Sequence, residues 1–339
     1  MPSREPSAVI FGCAGSSLSP RERAFFRDAD PVGFILFKRN CEAPDQVRAL
    51  VRELRETTGR SDSPVLIDQE GGRVARLQPP NWRTYPAAAT LGALGGERAR
   101  EAVHLAARLI AEDLAALGVT VDCLPVLDVP QVGADPVIGD RAYSNDPREV
   151  ARLGKAACDG LLEGAVLPVI KHIPGHGRAS VDSHDALPRV IVPRAELEAT
   201  DFAPFRALSD MPWAMTAHIV YTAVDADAPA TLSALVIREV IRDSMGFDGV
   251  LVSDDLSMNA LGGPIGARAA RALAAGCDLA LHCNGDSAEM ADVAAAVAPL
   301  TPEARRRIDR AETRRHARAP LDRRAAESRL DALLGGPAA

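Results

Sequence analysis

The chain has 339 residues, of which 47% are hydrophobic and 25% charged, and its formal net charge is -7. This composition is ordinary for a globular protein, and an acidic chain with only 4% aromatic residues does not fit nucleic-acid binding. No apolar run approaches the roughly 20 residues that a membrane span needs. The N-terminal stretch has no uninterrupted apolar core of signal-peptide length. We therefore expect a cytoplasmic protein that binds neither nucleic acid nor membrane and keeps its six cysteines reduced.

Short apolar runs alternate along the chain with segments that have the apolar spacing of amphipathic helices. The predicted strands are residues 7–11, 32–37, 65–67, 119–125, 167–170, 213–217, 249–253 and 277–283. The predicted helices are residues 19–27, 44–57, 97–117, 146–163, 194–209, 233–245 and 264–275. Alternating strands and helices form parallel sheets, and eight strands predict a single (β/α)8 TIM barrel in the α/β class. An open, doubly wound sheet is the alternative.

The C-terminal region is predicted to belong to the same unit, because no linker or change of composition precedes it. We expect one TIM-barrel domain over residues 1–339, with a core from about residue 7 to residue 300. Within residues 301–335, two Arg-rich amphipathic helices are expected to pack on the outside of the barrel, with their arginines in solvent. Residues 335–339 are expected to fray.

Polar and charged side chains collect where the predicted strands end. They are Asp68, Arg76, Asp128, Arg141, Lys171, His172, His218, Asp254, Asp255 and His282. The carboxyl ends of parallel barrel strands surround one mouth, so this distribution predicts a site there. Taken singly, each residue has a simpler structural interpretation. Asp68 could cap a helix, and a lone His218 or His282 is more often a buried structural histidine.

The loop after the fifth predicted strand is rich in potential metal ligands. It contains His172, His176, Asp182, His184 and Asp185. Zinc accepts imidazole and carboxylate ligands, so a metal site is an alternative interpretation. However, no HxH or HExxH spacing occurs, and Pro174 and Gly175 place a turn between His172 and His176.

A carboxylate at a strand end and a histidine on a nearby loop suit a two-step displacement. The carboxylate attacks, and the histidine first gives and then takes a proton. Asp182 and His184 would face the same way in an extended segment, so Asp182 could favour one tautomer and the protonated form of His184. The other charged groups at the mouth suit the hydroxyls of a carbohydrate. They are Asp68, Arg76, Arg141, Lys171 and His172.

Four motifs follow one another along the chain. They are Asp68-Gln-Glu-Gly-Gly-Arg-Val74, Lys171-His-Ile-Pro-Gly-His-Gly177, Asp182-Ser-His184 and Ser253-Asp-Asp-Leu-Ser-Met258. In this order they resemble the glycoside hydrolase family 3 β-N-acetylglucosaminidases, and within these the bacterial cytoplasmic enzymes of cell-wall recycling. The resemblance extends over roughly residues 30–285. Ile173 stands where a Phe is usual and Lys38 where a Thr is frequent, and neither position is catalytic.

The resemblance implies a single TIM-barrel domain, no required cofactor or metal, a monomer, and a retaining mechanism through a covalent glycosyl-enzyme. The family nucleophile corresponds to Asp254, and the family acid/base corresponds to His184 paired with Asp182. The sugar-binding positions correspond to Asp68, Arg76, Arg141, Lys171 and His172. The implied substrate is a small muropeptide from which a terminal GlcNAc is removed.

Several alternatives to this function stay open. The same site could serve a β-glucosidase, a broad β-glycosidase or a phosphorylase. A metal-dependent hydrolase and a barrel that only binds sugars are further alternatives, and the presence of both Asp254 and His184 argues against the latter. Because Gly175 and Gly177 are interpreted as hinges and apolar anchors are few, loop 173–185 is predicted to move over the bound sugar. His176 is assigned to the turn, without a role in binding or catalysis.

Overall fold

The centre of the protein is a closed barrel of eight parallel strands, seen in a computed structural model that describes residues 5–335. The strands are β1 Ser7–Gly12, β2 Pro31–Leu36, β3 Val65–Ile67, β4 Val121–Asp122, β5 Leu167–Ile173, β6 Trp213–Thr216, β7 Val250–Asp255 and β8 Leu279–His282. Neighbours in the barrel are neighbours in the chain, and β8 closes on β1 with Ala280 beside Val9. The predicted (β/α)8 barrel is confirmed, and the open sheet is wrong. Residues 1–4 and 336–339, which hold the outer ends of the predicted domain and most of the segment expected to fray, lie outside the described residues.

The strands are mostly apolar because both of their faces are covered, and most of their polar residues stand at the carboxyl ends. Successive strand residues point to opposite faces. In β1, Ile10 therefore packs inside the barrel with Ile35, whereas Phe11 packs outward against Phe26 of the first helix. All four side chains are almost fully buried. This arrangement explains why the strands could be recognised as short continuous apolar runs.

The helices surround the barrel and also extend beyond it. They are α1 Pro20–Ala29, α2 Pro44–Thr58, α3 Ala88–Gly92, α4 Gly96–Leu117, α5 Pro147–Glu163, α6 Arg194–Ala199, α7 Ala203–Ala207, α8 Ile265–Ala275, α9 Ser287–Ala296, α10 Pro302–Thr313 and α11 Arg323–Leu333, with a π-helix at Val236–Ser244. Asp146 caps α5, since its side chain accepts from the backbone N–H of Arg148 at 2.8 Å. Within residues 5–335, no helix is both long enough and apolar enough to span a membrane.

Helix α3 was not predicted, and three longer helical segments also differ from the prediction. Residues 194–209 form two short helices rather than one, separated at Thr200 and Asp201, whose side chains bond to Arg178 in the loop after β5. Segment 233–245 contains the π-helix Val236–Ser244, and the N–H of Met245 bonds to the carbonyl of Val240. Helix α9 was not predicted. It buries only two side chains, so its apolar spacing is weak.

The two C-terminal helices lie in different places. Ile308 of α10 packs with the interior residues of the barrel, and Arg307 bonds at 2.7 Å to Asp278 at the start of β8. Helix α10 therefore covers the N-terminal end of the barrel. Helix α11 packs outside on α4, where Arg329 pairs with Glu101 at 2.7 Å. Both helices therefore lie outside the barrel, α11 against α4 and α10 across the N-terminal end. Both arginines are paired with carboxylates, and the expected exposure to solvent holds for Arg329, which is 55% exposed, but not for Arg307, which is 22% exposed.

Candidate active site

A cavity of about 280 Å³ lies at the carboxyl ends of the barrel strands. Its lining includes all eight residues predicted from the sequence for binding or catalysis: Asp68, Arg76, Arg141, Lys171, His172, Asp182, His184 and Asp254. A larger depression of about 640 Å³ between the ends of α2 and α4 contains none of them. The candidate site is therefore identified by its lining residues and not by its volume. It lies at the carboxyl ends of the strands, where other parallel barrels have their active sites.

One wall of the cavity is a chain of alternating charges. The ammonium of Lys171 lies 2.7 Å from a carboxylate oxygen of Asp68 and 2.7 Å from one of Glu70. Arg76 binds the other oxygen of Asp68 at 3.0 Å, and Arg141 binds both oxygens of Glu70 at 2.8 and 2.9 Å. Only 2% of the Lys171 side chain is exposed. Each buried charge thus has an opposite charge in hydrogen-bond contact, as buried ions require. We call these five residues the ionic wall.

Burial and ion pairing act in opposite directions on the two carboxylates of the ionic wall. Burial raises the pKa of Asp68 and Glu70, but Lys171 and the arginines outweigh it. The pKa of Glu70 is held at about 2 and that of Asp68 well below its usual range. The same two carboxylates raise the pKa of Lys171, although its burial opposes this. The wall is therefore fully charged at neutral pH.

Glu70 was not identified from the sequence. It lies two residues after Asp68 in a hairpin formed by Gln69–Gly71 and Val74–Ala75. Gln69 between them points elsewhere, and its side-chain oxygen accepts from the backbone N–H of Arg76 at 2.8 Å. The alternation of side chains in extended backbone was the one signal that could have placed Glu70 beside Asp68.

A further carboxylate supports this hairpin from below. Asp122 ends β4, and its Oδ1 accepts from the backbone N–H of Gln69 at 2.9 Å. Its Oδ2 has no hydrogen-bond partner in the part of the chain that the structure describes. Burial raises the pKa of Asp122 well above its usual range, and the negative charges of Asp68 and Glu70 add to this effect. The surroundings of Asp122, beneath the charged wall, thus favour its neutral form.

Asp254 lies near the end of β7 and is 8% exposed. Burial raises its pKa, but the nearby His172 and His218 outweigh this, so that the pKa falls below its usual value. Its Oδ1 accepts from the backbone N–H of Asp255 at 2.8 Å. Asp255 itself is occupied by the backbone and hydroxyl of Ser257 and cannot serve equally well. Asp254 is thus an ionised carboxylate in the lining of the cavity.

His172 is oriented by Asp128, to which the sequence assigned no specific role. Its Nδ1 lies 2.7 Å from Oδ2 of the fully buried Asp128, and Oδ1 of Asp128 accepts from the backbone N–H groups of His172 and His176. Burial raises the pKa of Asp128, but His172 outweighs it and the net shift is downward. The ring of His176 also lines the cavity, and burial lowers its pKa to about 4, so it is neutral at pH 7.

Asp182 and His184 form a hydrogen-bonded pair at the rim of the cavity. Oδ1 of Asp182 lies 2.7 Å from Nδ1 of His184 and also accepts from its backbone N–H at 2.9 Å. The pair arises from a turn, in which the N–H groups of Asp185 and Ala186 bond to the carbonyl of Asp182. The extended segment assumed from the sequence was wrong. Burial opposes ionisation of Asp182, but the two bonds to His184 outweigh it and lower the pKa of Asp182. The side chain of His184 is 60% exposed.

The first part of loop 173–185 is fastened more firmly than the sequence suggested. A β-carbon on Gly177 would lie 2.0 Å from the carbonyl oxygen of Val129, so this glycine is required by close packing. The carbonyl of Gly175 accepts from the hydroxyl of the buried Tyr221 at 2.6 Å. The loop thus has more anchors than the sequence suggested, and its movement over the sugar stays a prediction.

The histidines at the cavity are engaged in pairs rather than directed at one point. His172 bonds to Asp128, His184 bonds to Asp182, and His176 lies 3.3 Å from the hydroxyl of Ser183. Within residues 5–335, no group of three or more His, Cys, Asp or Glu side chains is arranged to hold a metal ion. The local geometry does not favour the metal-site interpretation.

A parallel barrel with ionised carboxylates and imidazoles at the carboxyl ends of its strands defines an enzyme that performs acid–base chemistry on a polar ligand. A comparison with known families narrows this class. Residues 18–316 match the model described as "Glycosyl hydrolase family 3 N terminal domain". The chain belongs to this glycosyl hydrolase family.

Individual relatives support the same conclusion. The chain is 41% identical over 279 residues to a beta-hexosaminidase of Methylococcus capsulatus, covering 81% of this chain and 82% of the relative. It is 38% identical over 314 residues to a beta-hexosaminidase of Bordetella avium, covering 90% and 88%. It is also similar to the crystal structure of NagZ from Neisseria gonorrhoeae in complex with N-trifluoroacetyl-D-glucosamine, with a TM-score of 0.87 and 31% identity over 98% of this chain and all of that one.

Proposed function

We propose that this glycoside hydrolase is a retaining exo-β-N-acetylglucosaminidase, which removes a terminal, non-reducing GlcNAc from its substrate. One observation carries the proposal, namely that the ionised Asp254 and the pair Asp182–His184 line the same cavity. The relatives named beta-hexosaminidase support the choice of sugar. A cavity of about 280 Å³ is slightly smaller than the roughly 300–1,000 Å³ of most ligand pockets, which suits a single sugar ring.

In the first step, the carboxylate of Asp254 attacks the anomeric carbon and the bond to the leaving oxygen breaks. The imidazolium of His184 donates its proton to that oxygen, while the negative charge of Asp182 stabilises the imidazolium. In the second step, the neutral imidazole takes a proton from water and the water oxygen attacks the anomeric carbon. The bond to Asp254 breaks, and both groups return to their starting states. A His–Asp pair thus takes the place of the second carboxylic acid in the usual scheme.

The ionic wall and His172 would bind the sugar. Lys171, Arg76 and Arg141 can donate to hydroxyl oxygens, and Asp68 can accept from hydroxyl groups. Because these groups hold one another in place before the ligand arrives, little side-chain freedom would be lost on binding. The physiological substrate that we propose is a GlcNAc–anhydro-muramyl peptide in the cytoplasm, bound by a monomer without a cofactor. Its peptide would lie outside the sugar cavity.

Release of 4-nitrophenol from β-GlcNAc and β-glucoside substrates, each with and without EDTA, tests the proposal. Turnover of the GlcNAc substrate that EDTA does not change supports it. A strong preference for the glucoside would overturn the sugar assignment, and loss of turnover in EDTA would favour the metal-dependent alternative. Added phosphate separates hydrolysis from phosphorolysis, because a phosphorylase would release the sugar as its 1-phosphate.

A further inference from the structure

The residue between the two members of the acid/base pair is buried, although its neighbours are not. Ser183 is 3% exposed, whereas the side chains of Asp182 and His184 are 28% and 60% exposed. Serine is usually found at the surface. A buried serine at the centre of an exposed turn therefore indicates that the turn is attached to the protein at this point.

Ser183 contacts two separate parts of the cavity. Its hydroxyl lies 3.3 Å from Nε2 of His176 and 3.8 Å from the sulfur of Met258. Its carbonyl accepts from the backbone N–H of Ala260 at 3.1 Å. Met258 and Ala260 lie in the turn that follows Asp254. Ser183 thus joins the loop of the proposed acid/base to the loop of the proposed nucleophile.

His176, the partner of Ser183 on the cavity wall, is itself held by several contacts. The backbone N–H of His176 bonds to Asp128 at 2.6 Å, and its ring packs edge-on against His172 with 5.6 Å between the ring centroids. His176 is 3% exposed. The Ser183 hydroxyl therefore bonds to a fixed point and not to another mobile side chain.

We propose that Ser183 is a positioning residue, which holds His184 over the cavity by fastening its turn to His176 and to the Met258–Ala260 turn. This inference rests on the proposed function, because it takes His184 as the acid/base and Asp254 as the nucleophile. Proton transfer to the leaving oxygen depends steeply on the position of the acid, whereas binding to the ionic wall does not. A loosened turn should therefore impair protonation and spare sugar binding.

The first test is Ser183→Ala, measured as kcat/KM with a GlcNAc disaccharide and with a 4-nitrophenyl or 2,4-dinitrophenyl substrate. We expect about a tenfold loss with the disaccharide and less than about a twofold change with the activated phenol, which needs little protonation. Inhibition by free GlcNAc should be unchanged. Equal losses with good and poor leaving groups would overturn the proposal.

Ser63→Ala is the matched control. Ser63 is 2% exposed and its hydroxyl lies 3.1 Å from that of Thr58, on a connection away from the cavity. Both variants remove one buried hydroxyl, so both should lower the melting temperature by a similar amount. Only Ser183→Ala should give losses that depend on the leaving group. Met258→Leu, which removes the sulfur and keeps the volume, should show the same pattern more weakly and serves if Ser183→Ala folds poorly.

A combined variant tests whether Ser183 acts through His184. In a His184→Ala background, Ser183→Ala should cause no further loss with the disaccharide, because the group that it positions is absent. A further loss would overturn the proposal. If His184→Ala itself shows no dependence on the leaving group, the acid/base assignment fails and the positioning role fails with it. If His184→Ala shows the dependence and Ser183→Ala does not, only the positioning role is wrong.

Discussion

The ionic wall and the Asp182–His184 turn are built from similar side chains but in opposite ways. Lys171 has 2% of its side chain exposed and bonds to two carboxylates, whereas His184 has 60% exposed and bonds to one. A group that binds a sugar must keep one charge throughout, and burial among opposite charges ensures this. A group that gives and takes a proton must change its charge in each step, and contact with water helps it to do so.

The two regions also differ in how much their ion pairs contribute to stability, because one region is buried and the other is exposed. Removing one partner of a buried ion pair leaves an uncompensated charge and costs about 3–5 kcal/mol. Removing one partner of an exposed pair changes stability by less than about 1 kcal/mol. Substitutions in the ionic wall should therefore appear in the stability of the protein, and substitutions in the turn should appear mainly in its kinetics.

The largest effect is expected at Asp254, which lines the same cavity as both regions. Asp254→Asn should lower kcat/KM by on the order of 10⁴-fold or more, because no covalent intermediate can form. Asp185→Asn changes an exposed carboxylate next to His184 that does not line the cavity, so it is the control and should leave turnover unchanged. Steady-state kinetics with a 4-nitrophenyl substrate measures both. Retention of more than about 1% of the activity in Asp254→Asn would contradict the assignment.

A pair of lysine substitutions tests the energetic contrast directly. Lys171→Met leaves Asp68 and Glu70 without their shared cation and should lower the free energy of unfolding by about 3–5 kcal/mol. Lys155→Met breaks an exposed pair with Asp159 on α5 and should cost less than about 1 kcal/mol. Urea unfolding of both variants measures the difference. Similar losses at the two sites would show that the ionic wall is not energetically distinct.

His184→Ala should lower kcat/KM by about 10²-fold with a poor leaving group and far less with an activated phenol. Its stability should be close to that of the unchanged protein, because the side chain is exposed. A marked loss of stability, or equal kinetic losses with both classes of substrate, would remove the contrast between the two regions.

The dependence of stability on pH should have opposite signs for two carboxylates, Asp122 and Glu70. The pKa of Asp122 is raised in the folded protein, so its favourable contribution is present below the unfolded pKa of about 4 and is lost as the pH rises. Asp122→Asn should therefore stabilise the protein more at pH 7 than at pH 4. The pKa of Glu70 is lowered to about 2, so its contribution is present above about pH 4 and is lost as the pH falls.

Glu70→Gln should consequently destabilise the protein at pH 7 and much less at pH 2. Denaturant unfolding over this pH range measures both variants. If Asp122→Asn and Glu70→Gln changed the free energy of unfolding at pH 7 in the same direction, the charge states assigned to the ionic wall and to the acid beneath it would be contradicted.

The barrel could be predicted because its signals are local. A strand covered on both faces is a short apolar run, as in β1 and β7, and parallel topology then brings every strand end to one mouth. The eight candidate residues needed no contact map to be placed together. The motif of Ser253-Asp-Asp identified Asp254 over Asp255 by resemblance, and the structure supplies the physical difference, since Asp255 is engaged by Ser257.

What the sequence did not reveal depends on contacts between distant residues. The pairing of Glu70 with Lys171, and that of Asp128 with His172, have no local signature. The packing of Gly177 against Val129 is invisible for the same reason, so that the anchoring of this loop was underestimated. An amphipathic pattern likewise shows that α10 buries one face without showing that this face covers the end of the barrel.

The shared lysine of the ionic wall also restricts how the pocket can be redesigned. Asp68 and Glu70 are paired with Lys171, Arg76 and Arg141, and these residues come from three different segments of the chain. A substitution that removes any one charge leaves a buried neighbour without one of its ion-pair partners. Variant libraries that aim at another sugar should therefore replace an acidic residue and a basic residue together. A single replacement will cause misfolding, so that its effect on sugar selectivity is never observed.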